Sequence, residues 1–393
     1  MIFLARYGAL LARPHLRAAL VASVVGRLPI GVTGLSILLL AQATSGSFVR
    51  GGAASAAYVV GLASVAPLVG RIIDRAGPVG VLFGSAFAFP AALGSLVFAV
   101  QGEASSVLMY ALAFSAGASF PPITVCMRTF FRRELGEQSM LAAAYSLESV
   151  LIETIFIVGP MLVALFLAVA SPSAAVFFAA LCASIGTLLF VRSPALRGWR
   201  IEPRADKSLF GPLAERGFAP LLAVVLGYSA AFGLVEIGIT AYATEAGHPA
   251  LAGVMLGLMS AGSAAGGLAY GSRDWRLPLA RQFAVVLCAL GIGVALLALA
   301  ANAWLFALLS VVAGVVMAPA LTIQTMLVSR IASPQHATEA FTWSSTGLLI
   351  GVGIGIAAGG WLIERWGSSA TFVAAAIASL GAGVLALRLR APD

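Results

Sequence analysis

Uninterrupted apolar runs, each long enough to cross a lipid bilayer as a helix, follow one another from about residue 16 to about residue 389, with short charged links between them. Each crossing needs roughly 20 apolar residues plus a link, so 393 residues accommodate about twelve. At 61% hydrophobic and 10% charged, the chain is too apolar for a water-soluble domain and too long for one core. The spans are expected near 16–43, 53–72, 79–100, 105–127, 139–169 and 174–192, and then near 217–244, 250–271, 279–300, 303–330, 338–363 and 369–389. A polar stretch rich in Arg and Pro, 193–216, separates the two sets. It is too short for a domain and reads as a tether between an N-terminal bundle, 1–192, and a C-terminal bundle, 217–393.

The charge distribution sets an orientation. Of the 23 Lys and Arg, Arg27 lies inside the first span, Arg50 and Arg365 fall in or beside links on one side, and all the others fall in links, or within a turn of them, on the side of the N-terminus. The positive-inside rule then puts both termini in the cytoplasm. Ala41-Gln42-Ala43 looks like a signal-peptidase site, but the run before it is too long for a signal peptide and contains Arg27. The net charge of +8 sits in these links, with no basic stripe interleaved with aromatics, so nucleic-acid binding is not expected. Cys126, Cys182 and Cys288 have no paired spacing, and His15, His248 and His336 lie scattered in links. No metal site, disulfide frame, cofactor or catalytic triad is expected, nor a nucleotide-binding P-loop. The near-exclusive use of Arg, with Lys207 the lone Lys, points to a GC-rich bacterial genome.

The two sets of spans repeat one another. GLAS at Gly61–Ser64 returns as GLMS at Gly257–Ser260, and Gly70 returns as Gly266, at an offset of about half the chain. Gly117 and Pro122 return as Gly314 and Pro319, and Gly159 as Gly355. Small residues at matched depths are what close helix packing in lipid requires.

Four ionisable residues lie well inside spans: Arg27, Glu148, Glu153 and Glu236. A charge there costs several kcal/mol unless paired or hydrated, which makes each a functional candidate. Arg27 lies about 11 residues into the first span, and Glu148 and Glu153 about 9 and 14 into the fifth; at roughly 1.5 Å per residue all three fall within about a turn in depth. The two carboxylates are five residues apart, about 140° around a helix, so they do not share a face. Were the first and fifth spans neighbours, one of the carboxylates would face Arg27, and the sequence leaves open which. Tyr145 and Ser149 are hydrogen-bond candidates for Glu148. Two readings stand. Desolvation favours the neutral acid and an approaching guanidinium the carboxylate, so the group can take and release a proton, with deeper Glu153 preferred; or the pair is a static lock between helices. Glu236, amid Tyr228, Phe232 and Gly233 in the seventh span, is either a solute contact or a solvated carboxylate near the outer end.

The turn after the second span, GRIIDRAG with Gly70, Asp74, Arg75 and Gly77 as fixed points, resembles the loop between the second and third helices of the major facilitator superfamily of secondary transporters. The resemblance implies an all-α membrane protein of twelve transmembrane helices in two pseudo-symmetric six-helix bundles, monomeric in the lipid bilayer of the inner membrane. It also implies alternating access, moving a small-molecule substrate, with the first and fifth helices as neighbours. Asp74 would latch a gate through Arg128 and Arg132 after the fourth helix and the N-terminus of the eleventh, Ala337-Thr338-Glu339. Pro78-Val79 stands where a basic pair is usual, which thins the latch, and Ala113 stands where the fourth helix usually carries an arginine, for which Arg27 substitutes. Gly159-Pro160 looks like the core of the antiporter motif of drug and sugar exporters, without its flanking glycines. Spans one, four, seven and ten would form the cavity, with Phe114, Tyr228, Phe232, Met317, Gln324 and Trp343 giving an aromatic, weakly polar lining suited to an amphipathic or mildly cationic solute. Proton-coupled efflux is the expected activity, and import or uniport of a small solute would use the same residues. A non-transporting membrane sensor is a further alternative, whereas an enzyme is not expected.

Overall fold

The structure, a computed structural model, describes residues 5–193, 196, 199, 201, 211–248, 251–300 and 302–389, with the side chains of Phe48 and Val49 excepted. Most of the tether expected at 193–216, including Arg197, Arg200, Arg204 and Lys207, lies outside the described residues, as does Arg390. Among those described, twelve helices are long and apolar enough to cross a membrane: Pro14–Ser45, Arg50–Ala76, Pro78–Gln101, Ser106–Glu134, Gln138–Val169 and Pro172–Arg192, then Phe218–Glu245, Leu251–Gly271, Leu279–Leu297, Ala303–Ile331, Pro334–Trp366 and Ser368–Ala386. They are numbered here as the first to twelfth spans. No strand occurs among the described residues. A short helix, Ala5–Ala12, precedes the first span.

Each bundle uses the same neighbours. The second span packs on the fourth, the third on the sixth and the first on the sixth; correspondingly the eighth packs on the tenth, the ninth on the twelfth and the seventh on the twelfth. The repeated glycines sit at such crossings. A Cβ on Gly117 would run into the carbonyl of Tyr58, and one on Gly314 into that of Met259. Gly159 packs on the backbone of Gly31 in the first span, as Gly355 packs on that of Ala230 in the seventh. In lipid there is no apolar driving force between helices, and backbones this close supply the dispersion contacts that replace it.

Three spans are jointed. The first breaks between Arg27 and Pro29, where a proline opens the second segment; the fourth breaks at Ser119–Pro122, and the tenth between Gly314 and Met317. Gly77, at φ +84°, joins the second and third spans in a conformation that a side chain would strain. Trp304 and Trp366 are exposed near span ends, and the Arg365 guanidinium lies 4.5 Å from the Trp361 ring centre, a grouping suited to a membrane–water boundary.

The chain divides into two compact units, with one cut inside the expected tether, between Ala205 and Asp206, and further cuts within the N-terminal half. One comprises Ala9–Phe130 and Thr154–Ala205; the other comprises Met1–Gly8, Phe131–Glu153 and Asp206–Asp393. The N-terminal half of the fifth span thus belongs with spans seven to twelve.

Within that second unit, Glu215 ties the start of the seventh span to the approach to the eleventh. Its carboxylate accepts from the Ser333 N–H at 2.8 Å and the Ser333 hydroxyl at 2.7 Å, and lies 3.0 Å from His336 Nδ1. Replacing Glu215 by Ala is expected to lower stability by about 1–2 kcal/mol, the usual cost of losing a helix-start acceptor, read as a lower Tm in thermal unfolding. An unchanged Tm would show that water replaces the carboxylate at no cost.

Candidate functional site

Along one face of the fifth span, Gln138, Tyr145, Ser146, Ser149 and Glu153 recur at helical spacing and form a polar stripe in an otherwise apolar helix. Each meets a residue of the eighth, tenth or eleventh span. At the N-terminal end Gln138 accepts from Arg330, and the Tyr145 ring stacks edge-on between Phe131 and Phe341, with centres 6.4 and 6.3 Å away. Ser146 donates to the carbonyl of Gly267. Ser149 and Thr322 bring their hydroxyl oxygens to 3.2 Å, and Ser263 Oγ donates to Glu153 Oε1 at 3.0 Å.

Glycines on the eighth span make the approach possible. A Cβ on Gly267 would fall 2.9 Å from the Ala318 Cβ and 3.0 Å from a Val150 methyl. One on Gly271 would meet the Tyr7 hydroxyl at 2.5 Å and the Ser146 Cβ at 2.6 Å. The N-terminal helix closes over this end: Tyr7 donates to the carbonyl of Leu268 at 2.9 Å, and Arg6 pairs with Asp274 at 2.5 Å. Beside the Tyr145, Phe131 and Phe341 rings, this contact is held by hydroxyls, carbonyls, an amide, guanidinium groups and the carboxylates of Glu153 and Asp274. Water can satisfy every one of these polar groups, so the contact can open and close at little net cost.

Of the residues expected to couple protons, Glu153 and Glu148 lie in this unit and Arg27 in the other. Glu148 is buried on a different face from the stripe. Its expected partner Ser149 instead donates to the Tyr145 carbonyl, at 3.0 Å, and meets Thr322. Arg27 is fully buried at the end of the first segment of its span, and its guanidinium donates to the Ser23 hydroxyl at 2.7 Å and the Ser23 carbonyl at 3.2 Å.

Of the expected latch, Arg132 donates to the carbonyl of Ala332 at 2.5 Å, on the approach to the eleventh span. In the other unit Gly70 and Asp74 are buried, Arg75 is exposed and Arg128 half-buried. Thr338 and Glu339 are buried at the start of the eleventh span, with the Glu339 carboxylate against Gly211. Gly159 is buried on Gly31, with Pro160 exposed beside it.

The residues expected to line a cavity separate into two groups. Phe232 and Met317 line a small apolar recess with Ala231, Val235, Met259, Leu290 and Val294. Tyr228 and Gln324 are buried and bonded to each other, and Gln324 Nε2 donates to Ser344 at 2.6 Å. The Tyr228 ring meets Phe232 edge-on at 5.2 Å and so backs one lining residue of the recess. Phe114 and Glu236 are exposed and Trp343 half-buried. Ser146, Ser263, Thr322 and Gly267 were not foreseen. Their only sequence signal is a density of small polar residues in the fifth and eighth spans.

The chain is thus a twelve-span helical protein, jointed in its first, fourth and tenth spans and carrying a polar stripe along its fifth. Comparisons with known proteins agree with that fold. Residues 279–393 match the family model described as the Major Facilitator Superfamily. By sequence, no curated protein matches the chain. Among solved structures, a bacterial homologue of the iron transporter ferroportin, in an outward-facing state, aligns over 95% of this chain and 98% of its own, with a TM-score of 0.78 at 17% identity. The human organic anion transporter MFSD10 aligns over 95% and 99%, with a TM-score of 0.74 at 18% identity. The Escherichia coli fucose:proton symporter FucP aligns over 97% and 100%, at 0.71 and 14%. The chain therefore has the major facilitator fold, as the sequence led us to expect.

Proposed function

We propose that this protein is a secondary transporter that moves a small organic solute across the cytoplasmic membrane by alternating access, with proton-coupled efflux as its activity. The observation that carries the reading is Glu153, an ionisable group within a span, held by hydroxyls at a seam that can open to water. The seam between the fifth span and the eighth and tenth is the gate on the side of the termini, which the charge asymmetry assigns to the cytoplasm. Glu153 and Glu148 with Arg27 form the proton-coupling group. Asp74, Arg128 and Arg132 with the Gly70–Gly77 turn, and Gly159-Pro160, belong to the gating machinery. Solute contacts are assigned to Glu236, Phe232 and Met317, with Phe114 and Trp343, and Tyr228 and Gln324 support them. One carboxylate among aromatic and thioether groups favours an amphipathic or mildly cationic solute. The halves 1–192 and 217–393, tethered by 193–216, act as the two arms of a monomer.

A second reading is proton-coupled import, favoured by the likeness to a fucose:proton symporter. Purified protein in liposomes, given a panel of dyes, antibiotics and sugars while internal pH is followed, tests both. Export predicts that an imposed proton gradient drives a solute against the proton movement, and import predicts movement in the same direction. A solute flux indifferent to the gradient would make the protein a uniporter. No flux with any class of solute from folded protein would count against transport and favour a sensor.

A further inference from the structure

Ser263 does more than hold Glu153. Its oxygen also accepts the backbone N–H of Ala318, at 3.0 Å, in the first turn of the second segment of the tenth span, Met317–Ile331. That segment opens without a local cap: Val316 at its start is in a helical conformation, with no side-chain hydrogen bond to the turn. Pro319 removes the next donor altogether. The cap on this helix start therefore comes from another span.

Hydrogen-bond accounting fixes the direction of the chain of contacts. A backbone N–H can only donate, so Ser263 accepts from Ala318 and its single proton is left for Glu153. A carboxylate is a much stronger acceptor for that proton than the neutral acid. The Ala318 carbonyl accepts from Thr322 within its own helix, at 2.8 Å. Ala318, at the joint of the tenth span, is thus connected to the fifth through its N–H.

We infer that Ser263 is the positioning residue through which the protonation of Glu153 is felt at the joint of the tenth span. The inference rests on the reading of Glu153 as the proton site. Ionised Glu153 orients Ser263 and keeps the cap on Ala318. Protonation weakens that hold and frees the joint, so one proton acts on the seam and the hinge together. Few other charges compete. Facing Glu153 from the eighth span are Ser260 and Ser263. The nearest titratable group on the eighth span is Tyr270, about two turns on, and on the tenth it is Arg330 at the far end. On its own span Glu148 lies five residues back, and Arg27 lies at a similar depth in the first span.

Hydrogen–deuterium exchange of the full chain in lipid nanodiscs, followed at residues 317–323 over a range of pH and corrected for intrinsic rates, tests this. In the wild type, protection of this turn is expected to step down as Glu153 takes up its proton, and in Glu153→Gln the step disappears. Ser263→Ala lowers protection about tenfold at every pH, the worth of one hydrogen bond, and abolishes the step. Ser263→Thr restores both, and Ser260→Ala, which keeps the bond to Ala318, leaves both in place. A step that survives in Ser263→Ala, or the lack of any step in the wild type, overturns the inference. The proton-site reading fails separately, if Glu153→Gln transports with unchanged coupling.

Discussion

Glu153→Gln is expected to reduce solute-driven proton flux to the background of protein-free vesicles while leaving the protein folded. The amide can still accept from Ser263 through its carbonyl oxygen, so the seam keeps its hydrogen bond and the stability change stays below about 1 kcal/mol. What the amide cannot do is ionise. A proton biases a conformational equilibrium only through its different affinity for the two states, and a group that never ionises has none to offer. Coupling of about 1.4 kcal/mol is about a tenfold difference in proton affinity between the two states, and removing the site removes all of it. Flux of internal pH dye, with circular dichroism and Tm as controls, reads both halves of the expectation. A variant that keeps coupled flux would reduce Glu153 to a structural partner and shift the role to Glu148.

The second large effect concerns packing. Gly266 of the eighth span lies so close to the tenth that a Cβ would collide with the Val315 carbonyl, and Gly262 and Gly314 stand in the same relation to Val311 and Met259. Backbone on the far side cannot rotate out of the way as a side chain could. Gly266→Ala is therefore expected to cost about 3 kcal/mol or more, at the upper end for overpacked sites, and Gly266→Leu to prevent assembly. Gly257→Ala offers the contrast, because nothing lies within 4 Å of its Cβ position. There the helix preference of Ala over Gly makes the change neutral or stabilising by up to about 1 kcal/mol. Thermal unfolding in detergent, with yield by size-exclusion chromatography, distinguishes the two. Equal effects from both substitutions would contradict the close approach of the eighth and tenth spans.

That contrast bears on what the sequence reveals. The spans and their limits were legible because the bilayer imposes a length, and every expected span has a helix over nearly the same residues. Repeated glycines marked crossings, but the load at a crossing had moved. Gly61 meets the Phe114 carbonyl, whereas its repeat Gly257 is open and the corresponding contact falls to Gly262 and Gly266. The carboxylates stood out because charge in lipid is costly, yet their partners did not, since Ser263 and Thr322 are far away in the chain and hydroxyls are ordinary within spans. Tyr228 and Gln324 read as lining because both are amphipathic. A residue's satisfaction by a partner many turns away leaves no periodic trace, and these two satisfy each other. The division of the fifth span at Glu153 is equally invisible to hydropathy, which is uniform across it.

The proposed alternating access requires the fifth span to part from the tenth in every cycle, and a reversible bond between them tests this most directly. Ser149 and Thr322 place their hydroxyl oxygens 3.2 Å apart, so cysteines at both positions can reach disulfide geometry with little movement. In a background with Cys126, Cys182 and Cys288 replaced by Ser, the Ser149→Cys/Thr322→Cys protein should transport when reduced, stop when oxidised, and recover on reduction. Transport at an undiminished rate by fully cross-linked protein would contradict the account, because a seam that never opens could not be the gate.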